Sequence, residues 1–559
     1  MNSKMWRLSL LMILGSLVTV TVSAQSFRVQ CPMTTALHPN TPTSANPTGG
    51  SIKCQQISGG DGYATMADGT QTYLFSFGPL SGLNDIAAGL PGTQPAAVFM
   101  TPYDPNAAAG TAASNGAVGL MPDSDGVTTT LPDPNSTTGG TYTVSACPPG
   151  STVANDGSGR SCYTGHVDPR AIMDVGVMNG NIPAPMMAID EDDEFFLTLT
   201  NVGMIMRPDL FEQHTVHFHG YPNASSFYDG VPDASVAINI GGSFTYYYLA
   251  PDAGTYFWHC HITPPEHLQM GMVGQLYVRP RQNRVALNSS LHDGLVAQQA
   301  NLRTASNCAV DILCPSPVPP ANTAVHSNNK SGSLTLYAYN DGDGSTAYDV
   351  EYPLQIHGFD PNFHFVGMTF NPEGFADMKD KYFLLNGRSY PDTIKTTTYI
   401  DPNAAAGNSQ FVGQPLVSTA MYTQDADAVA RPSQPLNAVI NIPVGGKALL
   451  RISDLDVSEY QTLASLGIPM HVIGLNARLL RDTAGNNLAY DTNSITLAGG
   501  ESLDVLLDAS DTTKYSFGQI FYLYTPNLDH LSNDAENFGG LMTEVHICHA
   551  VNPATKACS

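Results

Sequence analysis

Short apolar runs bounded by Gly, Pro and Asn follow one another along much of the chain. Residues 195–200, 243–248 and 274–278 are three such runs, rich in aromatic and β-branched residues. Runs of this length between turn residues predict the strands of a β-sandwich. We predict one sandwich over residues 25–300, with a long loop-rich insertion at about 80–170, where Gly, Ala, Thr and Pro dominate.

The strand pattern resumes in the second half of the chain, at 334–337, 448–452, 503–507 and 543–547. It predicts a second sandwich over residues 332–559. Residues 301–331 are rich in Pro, Ser and Asn, which is typical of an exposed linker. The predicted fold class is therefore all-β, with two sandwich domains.

The first residues have the composition of a secretory signal peptide. Lys4 and Arg7 precede the apolar run 8–17, and small residues end at a predicted cleavage site after Ala24. No later apolar run reaches the ~18 residues of a spanning helix, so we expect no transmembrane helix in the mature chain. The predicted location is exported, and periplasmic, cell-surface and extracellular forms all remain open.

The charge of the chain excludes some classes of partner. Charged residues make up only 13% of its 559 residues, and the net charge is −25. Such a polyanion repels phosphate backbones and anionic lipid, which argues against nucleic-acid binding and membrane-surface roles. An acidic run at 190–194 predicts a solvated turn, with attraction of metal cations as the alternative.

The chain has nine cysteines, an odd number for an exported protein. Eight form pairs close in sequence, although eight cysteines allow 105 connectivities. The predicted disulfide pairs are 31/54, 147/162, 308/314 and 548/558. Cys260 remains, and a lone thiol in an oxidising compartment needs protection.

Six histidines surround this lone cysteine between residues 214 and 272. They occur as His214-Thr-Val-His217-Phe-His219, as His259-Cys260-His261 and as His267, and Met272 follows. Side chains alternate along a strand, so the Cys260 thiol should face away from its two flanking imidazoles. One short segment can then serve two metal centres on opposite faces.

One thiolate, two imidazoles and a weak thioether are the ligands of an electron-transfer copper site. Cys260, His214, His267 and Met272 supply such a set. A role as a metal ligand would also explain why Cys260 has no disulfide partner.

These motifs resemble those of the multicopper oxidases, whose copper domain carries His-x-x-His-x-His-Gly and later His-Cys-His with a trailing His and Met. The resemblance is close over residues 175–280 and looser over 332–550, and it implies two cupredoxin-like Greek-key domains. It implies that His214, Cys260, His267 and Met272 hold type 1 copper. It also implies that His217, His219, His259 and His261 are half of a type 2/type 3 trinuclear copper cluster that reduces dioxygen to water. Asp229 is either an acid beside that cluster or a turn residue before Gly230.

The sequence departs from the family pattern in two ways. His267 lies seven residues after Cys260 instead of five, so we prefer Met272 over Met270 as the axial ligand because the His-to-Met step is kept. The second sandwich has no His-x-His pair to complete the cluster. Its six histidines are predicted to be surface or hydrogen-bonded core residues: His357, His364, His471, His530, His546 and His549.

Three explanations for the missing half are open. Two copies of the chain could join their copper domains about a two-fold axis, which gives eight histidines; a different partner could complete the cluster; or no oxygen-reducing centre forms. We favour the first, because an electron carrier has no use for His217, His219 and His261.

The function that we expect is a copper-dependent oxidoreductase. It would oxidise a metal ion or a phenol by single electrons at type 1 copper and pass the electrons through Cys260 to His259 and His261. The alternative is a type 1 copper electron-transfer or copper-binding protein that exchanges electrons with extracellular redox partners. A nitrite-reductase-like function ranks third.

Overall fold

The computed structural model describes residues 29–38, 51–123, 129–132, 141–144, 162–220, 225–250, 252–302, 320–330, 332–368, 374–395, 436–552 and 554–559. The predicted signal peptide, Cys147, Cys308, Cys314 and most of the predicted linker lie outside these residues.

The first half of the chain forms thirteen described strands, several of them longer than the predicted runs. They are β1 (Ile52–Thr65), β2 (Gln71–Pro79), β3 (Gln94–Pro95), β4 (Leu120–Asp123), β5 (Thr129–Pro132), β6 (Thr141–Val144), β7 (Cys162–Val167), β8 (Met187–Asp190), β9 (Glu194–Gly203), β10 (His217–Phe218), β11 (Ser243–Leu249), β12 (Gly254–His259) and β13 (Val273–Arg279). Two sheets, with strand orders β11-β9-β1-β2 and β10-β12-β13-β8, pack as a sandwich around one apolar core. Cys260 and Met272 belong to that core.

The second half forms a second sandwich, as predicted. Its strands are β14 (Leu336–Tyr337), β15 (Ala347–Tyr348), β16 (Val350–Phe359), β17 (Tyr382–Leu385), β18 (Ile440–Pro443), β19 (Lys447–Asp454), β20 (Gln461–Leu466), β21 (Met470–Leu475), β22 (Arg478–Leu479), β23 (Tyr490–Thr492), β24 (Ser494–Leu497), β25 (Ser502–Asp508), β26 (Ile520–Tyr524) and β27 (Met542–Cys548). The sheets β17-β16-β19-β25-β21-β22 and β18-β27-β26-β20-β24 enclose its core. The all-β fold class is confirmed.

Helices are short and lie between the strands. They are α1 (Leu83–Ala87), α2 (Ala96–Phe99), α3 (Ala112–Asn115), α4 (Pro169–Gly176), α5 (Pro264–Gln269), α6 (Leu291–Leu302) and α7 (Pro361–Met368), with 3₁₀ turns at Ser226–Tyr228, Arg281–Arg284, Phe375–Asp377, Asp392–Ile394 and Leu528–His530. Within the described residues no helix is long and apolar enough to span a bilayer.

The region predicted as a loop-rich insertion contributes to a small apolar core. Leu83, Ile86 and Phe99 from α1 and α2 are buried there together with Val29 and Ile172. This cluster packs the segment against the edge of the first sandwich.

Two of the predicted disulfides lie among the described residues. Cys31 pairs with Cys54, and Cys548 pairs with Cys558. Cys260 is free and buried, as the cysteine arithmetic predicts.

The acidic run at 190–194 is not a solvated turn, and this prediction is wrong. Four of its five carboxyl groups are buried, because other segments supply cations and donors. Arg281 donates its backbone N–H to Glu191 Oε2 at 2.6 Å, and Arg284 Nη2 donates to Asp192 Oδ2 at 2.7 Å. The hydropathy of residues 190–194 predicts exposure, and it cannot indicate that Arg281 and Arg284, about 90 residues later, supply the partners for these carboxylates.

The two sandwiches contact each other through β12 and β13 of the first and β19 and β25 of the second. Thr255 Oγ1 donates to Asp504 Oδ1 at 2.6 Å, and Gln275 Nε2 donates to Ser453 Oγ at 2.7 Å. Both contacts are buried. Since β12 ends at His259, this interface lies directly behind the histidine motifs.

Candidate metal centre

A buried group of His214, Cys260 and His267 forms at the edge of the first sandwich. One potential ligand atom from each residue lies within 4.8 Å of the others, and all three side chains are fully buried. Cys260 directly follows β12, His214 is bridged to Ile238 by backbone hydrogen bonds, and His267 lies in α5. His267 Nδ1 is 3.3 Å from Cys260 Sγ.

The chemistry of this group fits a bound metal ion. Among the described residues, three ring nitrogens of this group have no hydrogen-bond partner, although both rings are buried. They are Nδ1 and Nε2 of His214 and Nε2 of His267. Leaving such buried polar atoms unpaired is costly, and coordination through one nitrogen of His214 would relieve part of the cost. His267 would bind a metal shared with Cys260 through Nδ1, the nitrogen that faces the sulfur. Burial lowers the pKa of His214 to about 3, so its ring is neutral and able to bind a metal at neutral pH.

The cysteine environment is that of a protected thiol. Burial raises the pKa of Cys260 to about 11, so the apo thiol is protonated. The backbone N–H of Thr215 donates to Cys260 Sγ at 3.4 Å, a contact that would favour a thiolate once a cation is present. At Gly59, an added Cβ would lie 2.7 Å from the His214 ring, so this strand position requires glycine.

Met272 lies next to the group through its main chain. Its carbonyl accepts the Cys260 N–H at 3.0 Å, and its own N–H donates to the His267 carbonyl at 2.8 Å. The side chains of Met272 and Met270 are both fully buried. The Met270 N–H also bonds to this segment, at the Glu266 carbonyl, so the preference for Met272 as the axial ligand stays a prediction.

A second group forms on the other side of the same segment from His217, His219 and His259. His217 lies directly opposite His259 in the β10–β12 register. The Nε2 atoms of His219 and His259 are 3.1 Å apart. His261 borders the group, with its ring centroid 5.1 Å from that of His217.

Hydrogen bonds orient two of these rings. His217 Nδ1 donates to the Asp229 carbonyl at 2.7 Å, and His259 Nδ1 donates to the Cys260 carbonyl at 2.6 Å. Both rings therefore direct Nε2 into the histidine group, which is the usual arrangement for metal-bound histidines. Burial lowers the pKa of His219 to about 4 and that of His259 to about 3.

Asp229 lies at the turn after Ser226–Tyr228 and contacts His217 of the histidine group in two ways. Its carbonyl accepts from His217, and its carboxylate Oδ2 is 3.5 Å from the same Nδ1. Asp229 thus occupies the predicted turn and contacts His217, and its role as an acid stays a prediction.

The second sandwich covers one side of this histidine group. A cleft of about 490 Å³ is lined on one side by His219, His259 and His261, and on the other by residues 456–460 and 498–500. Gly500 lies directly against His219: an added Cβ would be 2.9 Å from its ring, and the two residues share a hydrogen bond. Among the described residues that line this cleft, the second sandwich contributes no histidine.

Glu212 is a residue that sequence reasoning missed. Its carboxylate Oε2 lies 3.8 Å from His267 Nε2, on the side of the imidazole that faces away from Cys260, and 27% of its side chain is exposed. Burial raises the pKa of Glu212. The available signal was its position two residues before His214, which is the spacing of side chains on one face of an extended segment.

The strands at the site are shorter than the motifs predict, yet the opposite-face arrangement is present. β10 includes only His217 and Phe218, and β12 ends at His259. The Cys260 thiol nevertheless joins His214 and His267, while His259 joins His217 and His219. Adjacent residues thus belong to two different groups.

A β-sandwich that carries a buried Cys-His-His group and an adjoining histidine group has the architecture of a cupredoxin-like domain. Residues 163–283 match the family model described as multicopper oxidase. This similarity to the multicopper oxidase family covers about a fifth of the chain.

Two curated relatives illustrate the range of the similarity. A laccase of Aspergillus fumigatus, Laccase abr2, is 33% identical over 118 residues, which are 21% of this chain and 19% of that protein. A copper-containing nitrite reductase of Neorhizobium galegae is 34% identical over 106 residues, 18% of this chain and 25% of that protein. The similarity therefore spans about a fifth to a quarter of the length of these relatives.

Among solved structures, the blue copper oxidase of Nitrosomonas europaea aligns over 67% of this chain and 79% of its own, with 18% identity and a TM-score of 0.41.

Proposed function

We propose that the protein is an exported copper-dependent oxidoreductase that oxidises a metal ion or a phenol and reduces dioxygen. The observation that carries the proposal is the adjacency of His259 and Cys260, which join two separate ligand groups. His214, Cys260, His267 and Met272 would hold type 1 copper, and His217, His219, His259 and His261 would hold copper of the oxygen-reducing cluster.

Copper, when bound, would supply the one-electron chemistry. The chain itself fixes the ligands and excludes water. His214, Cys260 and His267 are fully buried, so solvent has no direct access to the thiol. The peptide unit between Cys260 and His259 joins the two groups covalently, and the His259 ring donates to the Cys260 carbonyl.

Glu212 supports a cationic or hydroxyl-bearing electron donor. Its partly exposed carboxylate, beside the outer nitrogen of His267, offers a hydrogen-bond acceptor and a negative charge at the surface nearest the Cys-His-His group. A metal cation would be attracted by that charge, and a phenol could give up its proton to it as it loses an electron. The net charge of −25 acts in the same direction for cations.

The cluster would need imidazoles from another subunit. The chain contributes two His-x-His pairs, and the described wall of the cleft that belongs to the second sandwich contains none. We propose a homo-oligomer in which a second copy places its own four histidines against these four, to make eight.

The decisive experiment combines metal analysis, electron spin resonance, visible absorption and native mass. We expect an oligomer with more than one copper per chain, an intense thiolate-to-copper absorption and a second copper signal. A copper-replete monomer with one copper per chain would falsify the shared cluster and favour the electron-transfer alternative. A colourless copper-loaded protein would exclude both.

A further inference from the structure

The helix that carries His267 is too short to be stable without outside contacts. α5 has six residues, it begins after Thr263 in a left-handed conformation, and no side chain caps its N-terminus. Isolated helices below about 12 residues are marginal in water. Its last carbonyl groups lack partners within the helix, as at any helix end. The His267 and Leu268 carbonyls accept the N–H groups of Met272 and Gly271 just beyond it.

Two buried histidines of the second sandwich lie at the C-terminal end of this helix. His357 Nε2 is 3.0 Å from the Leu268 carbonyl, and His364 Nε2 is 3.0 Å from the Gln269 carbonyl. Leu268 and Gln269 directly follow His267. Side-chain donors that cap the last carbonyls stabilise a helix end, and here both come from the other domain.

A third contact fixes the same end. The Gln269 amide donates through Nε2 to Asp380 Oδ1 at 3.0 Å, and its Oε1 accepts the Asp360 N–H at 3.1 Å. Each contact is buried between the two sandwiches. The His267 helix is thus held from the second sandwich at two carbonyls and one side chain.

We propose that His357 and His364 are positioning residues for the copper ligand His267, and we name the pair the helix clamp. The inference rests on the proposed function only in assuming copper at His214, Cys260 and His267. It assigns a role to the second sandwich, whose described residues supply no ligand to either group: that domain holds the extended loop between Cys260 and Met272 in a geometry suited to the metal.

Each ring of the helix clamp has a carbonyl oxygen at both of its nitrogens, and Nδ1 of His357 faces the carbonyl of Gly358. His364 Nδ1 also faces a carbonyl, that of Tyr73, at 2.6 Å, and the ring stacks on Phe359. A neutral imidazole has one N–H, so it donates to only one of two carbonyls. The clamp requires the proton on Nε2, toward the helix.

The test uses the full-length, copper-loaded protein and three substitutions of His364. His364→Phe keeps the stack on Phe359 and removes both ring nitrogens. His364→Gln places an amide near the position of Nε2, and His364→Asn places one near the position of Nδ1. We expect His364→Phe to lower copper affinity at the Cys260 site by about tenfold, in the range found when partners of a ligand are lost. Its thiolate-to-copper absorption and spin-resonance splitting should also shift. Gln should restore these properties and Asn should not.

The matched control is His326. It is fully buried and its two ring nitrogens face the carbonyls of Val285 and Thr335, outside the interface with α5. His326→Phe should lower the unfolding temperature as His364→Phe does, without changing the copper spectrum. His357→Leu provides a second, independent variant if His364→Phe does not fold.

The outcomes separate the clamp from the proposed function. The clamp would be overturned if His364→Phe and His357→Leu kept the wild-type spectra and a copper affinity within twofold of wild type. That result would leave the copper site intact. Rescue by Asn instead of Gln would show that the ring serves Tyr73, and would also overturn it. A wild-type protein that lacks the thiolate-to-copper absorption would overturn the copper site, and the clamp with it.

Discussion

The Nε2 atoms of His219 and His259 lie 3.1 Å apart across the β10–β12 edge. Each has its other ring nitrogen held by backbone, His219 through Gly500 of the second sandwich and His259 through the Cys260 carbonyl. The pair therefore depends on both domains, and changes in either should alter what it binds.

Gly500→Ala tests this dependence. The residue has φ +92°, and a Cβ would lie 2.9 Å from the His219 ring. We expect displacement of His219 and loss of copper from the histidine group, with the Cys260 spectrum unchanged. The measurement is copper content together with the two spin-resonance signals.

Gly518→Ala is the control for backbone strain. Its φ is +85° and an added Cβ meets nothing within 4 Å. Both variants should lose about 1–2 kcal/mol of unfolding free energy from the left-handed conformation. Equal copper content in the two variants would contradict a role for the Gly500 contact.

Cys260→Ser removes the thiol while keeping a small buried side chain. Because only a thiolate gives the intense visible copper band, we expect that absorption to disappear. Copper at His217, His219 and His259 should remain, since those rings bind from the other side. Retention of the band in the serine variant would show that another sulfur is the ligand.

Copper loading should release about one proton per chain from the Cys260 site at pH 7. The pKa of Cys260 is raised to about 11, so the apo thiol carries a proton that must leave when a metal binds. The pKa of His214 is about 3, so its ring has no proton to lose. Copper titration calorimetry in buffers of different ionisation enthalpy measures the number, and Cys260→Ser should abolish this release.

The raised pKa of Cys260 also sets the direction in which copper affinity changes with pH. Because protons compete for the thiolate, copper affinity should increase by about tenfold per pH unit between pH 6 and 9. A flat profile over this range would indicate that the thiol is already ionised in the apo protein.

Glu212→Gln should weaken the oxidation of cationic donors. It removes the negative charge beside His267 and keeps the side-chain shape. We expect KM for a metal-cation donor to rise by roughly threefold to tenfold, about 1 kcal/mol, with the effect reduced by salt. Asp233→Asn, which removes an exposed charge from the same sandwich, should have little effect. Equal KM changes in both variants would point to net charge rather than to a local site.

The arrangement of Cys260 between two groups was predictable because it depends only on neighbouring residues. Alternation along an extended segment separates Cys260 from His259 whatever the rest of the fold does. The same locality explains why the disulfides Cys31–Cys54 and Cys548–Cys558 could be predicted.

The contacts that depend on distant segments were not predictable. The seven-residue step to His267 appears in the sequence as an irregularity, and the structure shows that its extra residues form α5, which packs on the second sandwich. His357 and His364 were predicted as surface or hydrogen-bonded core residues, and they are hydrogen-bonded core residues. Their contact with α5 joins residues about 90 positions apart, which no local pattern encodes.

Strand β1 was not among the predicted strands, because its run of glycines resembles a loop. Its position has a consequence for how the protein is made. β1 pairs in parallel with β9 in the middle of a sheet, and its Gly59 packs against His214. A fragment limited to the family match at 163–283 would lack this strand, and we expect it to leave His214 without support. During synthesis, β1 is made first, and the candidate ligands follow as far as Met272 in the segment that leads into β13. We therefore expect metal uptake to follow synthesis of the whole domain.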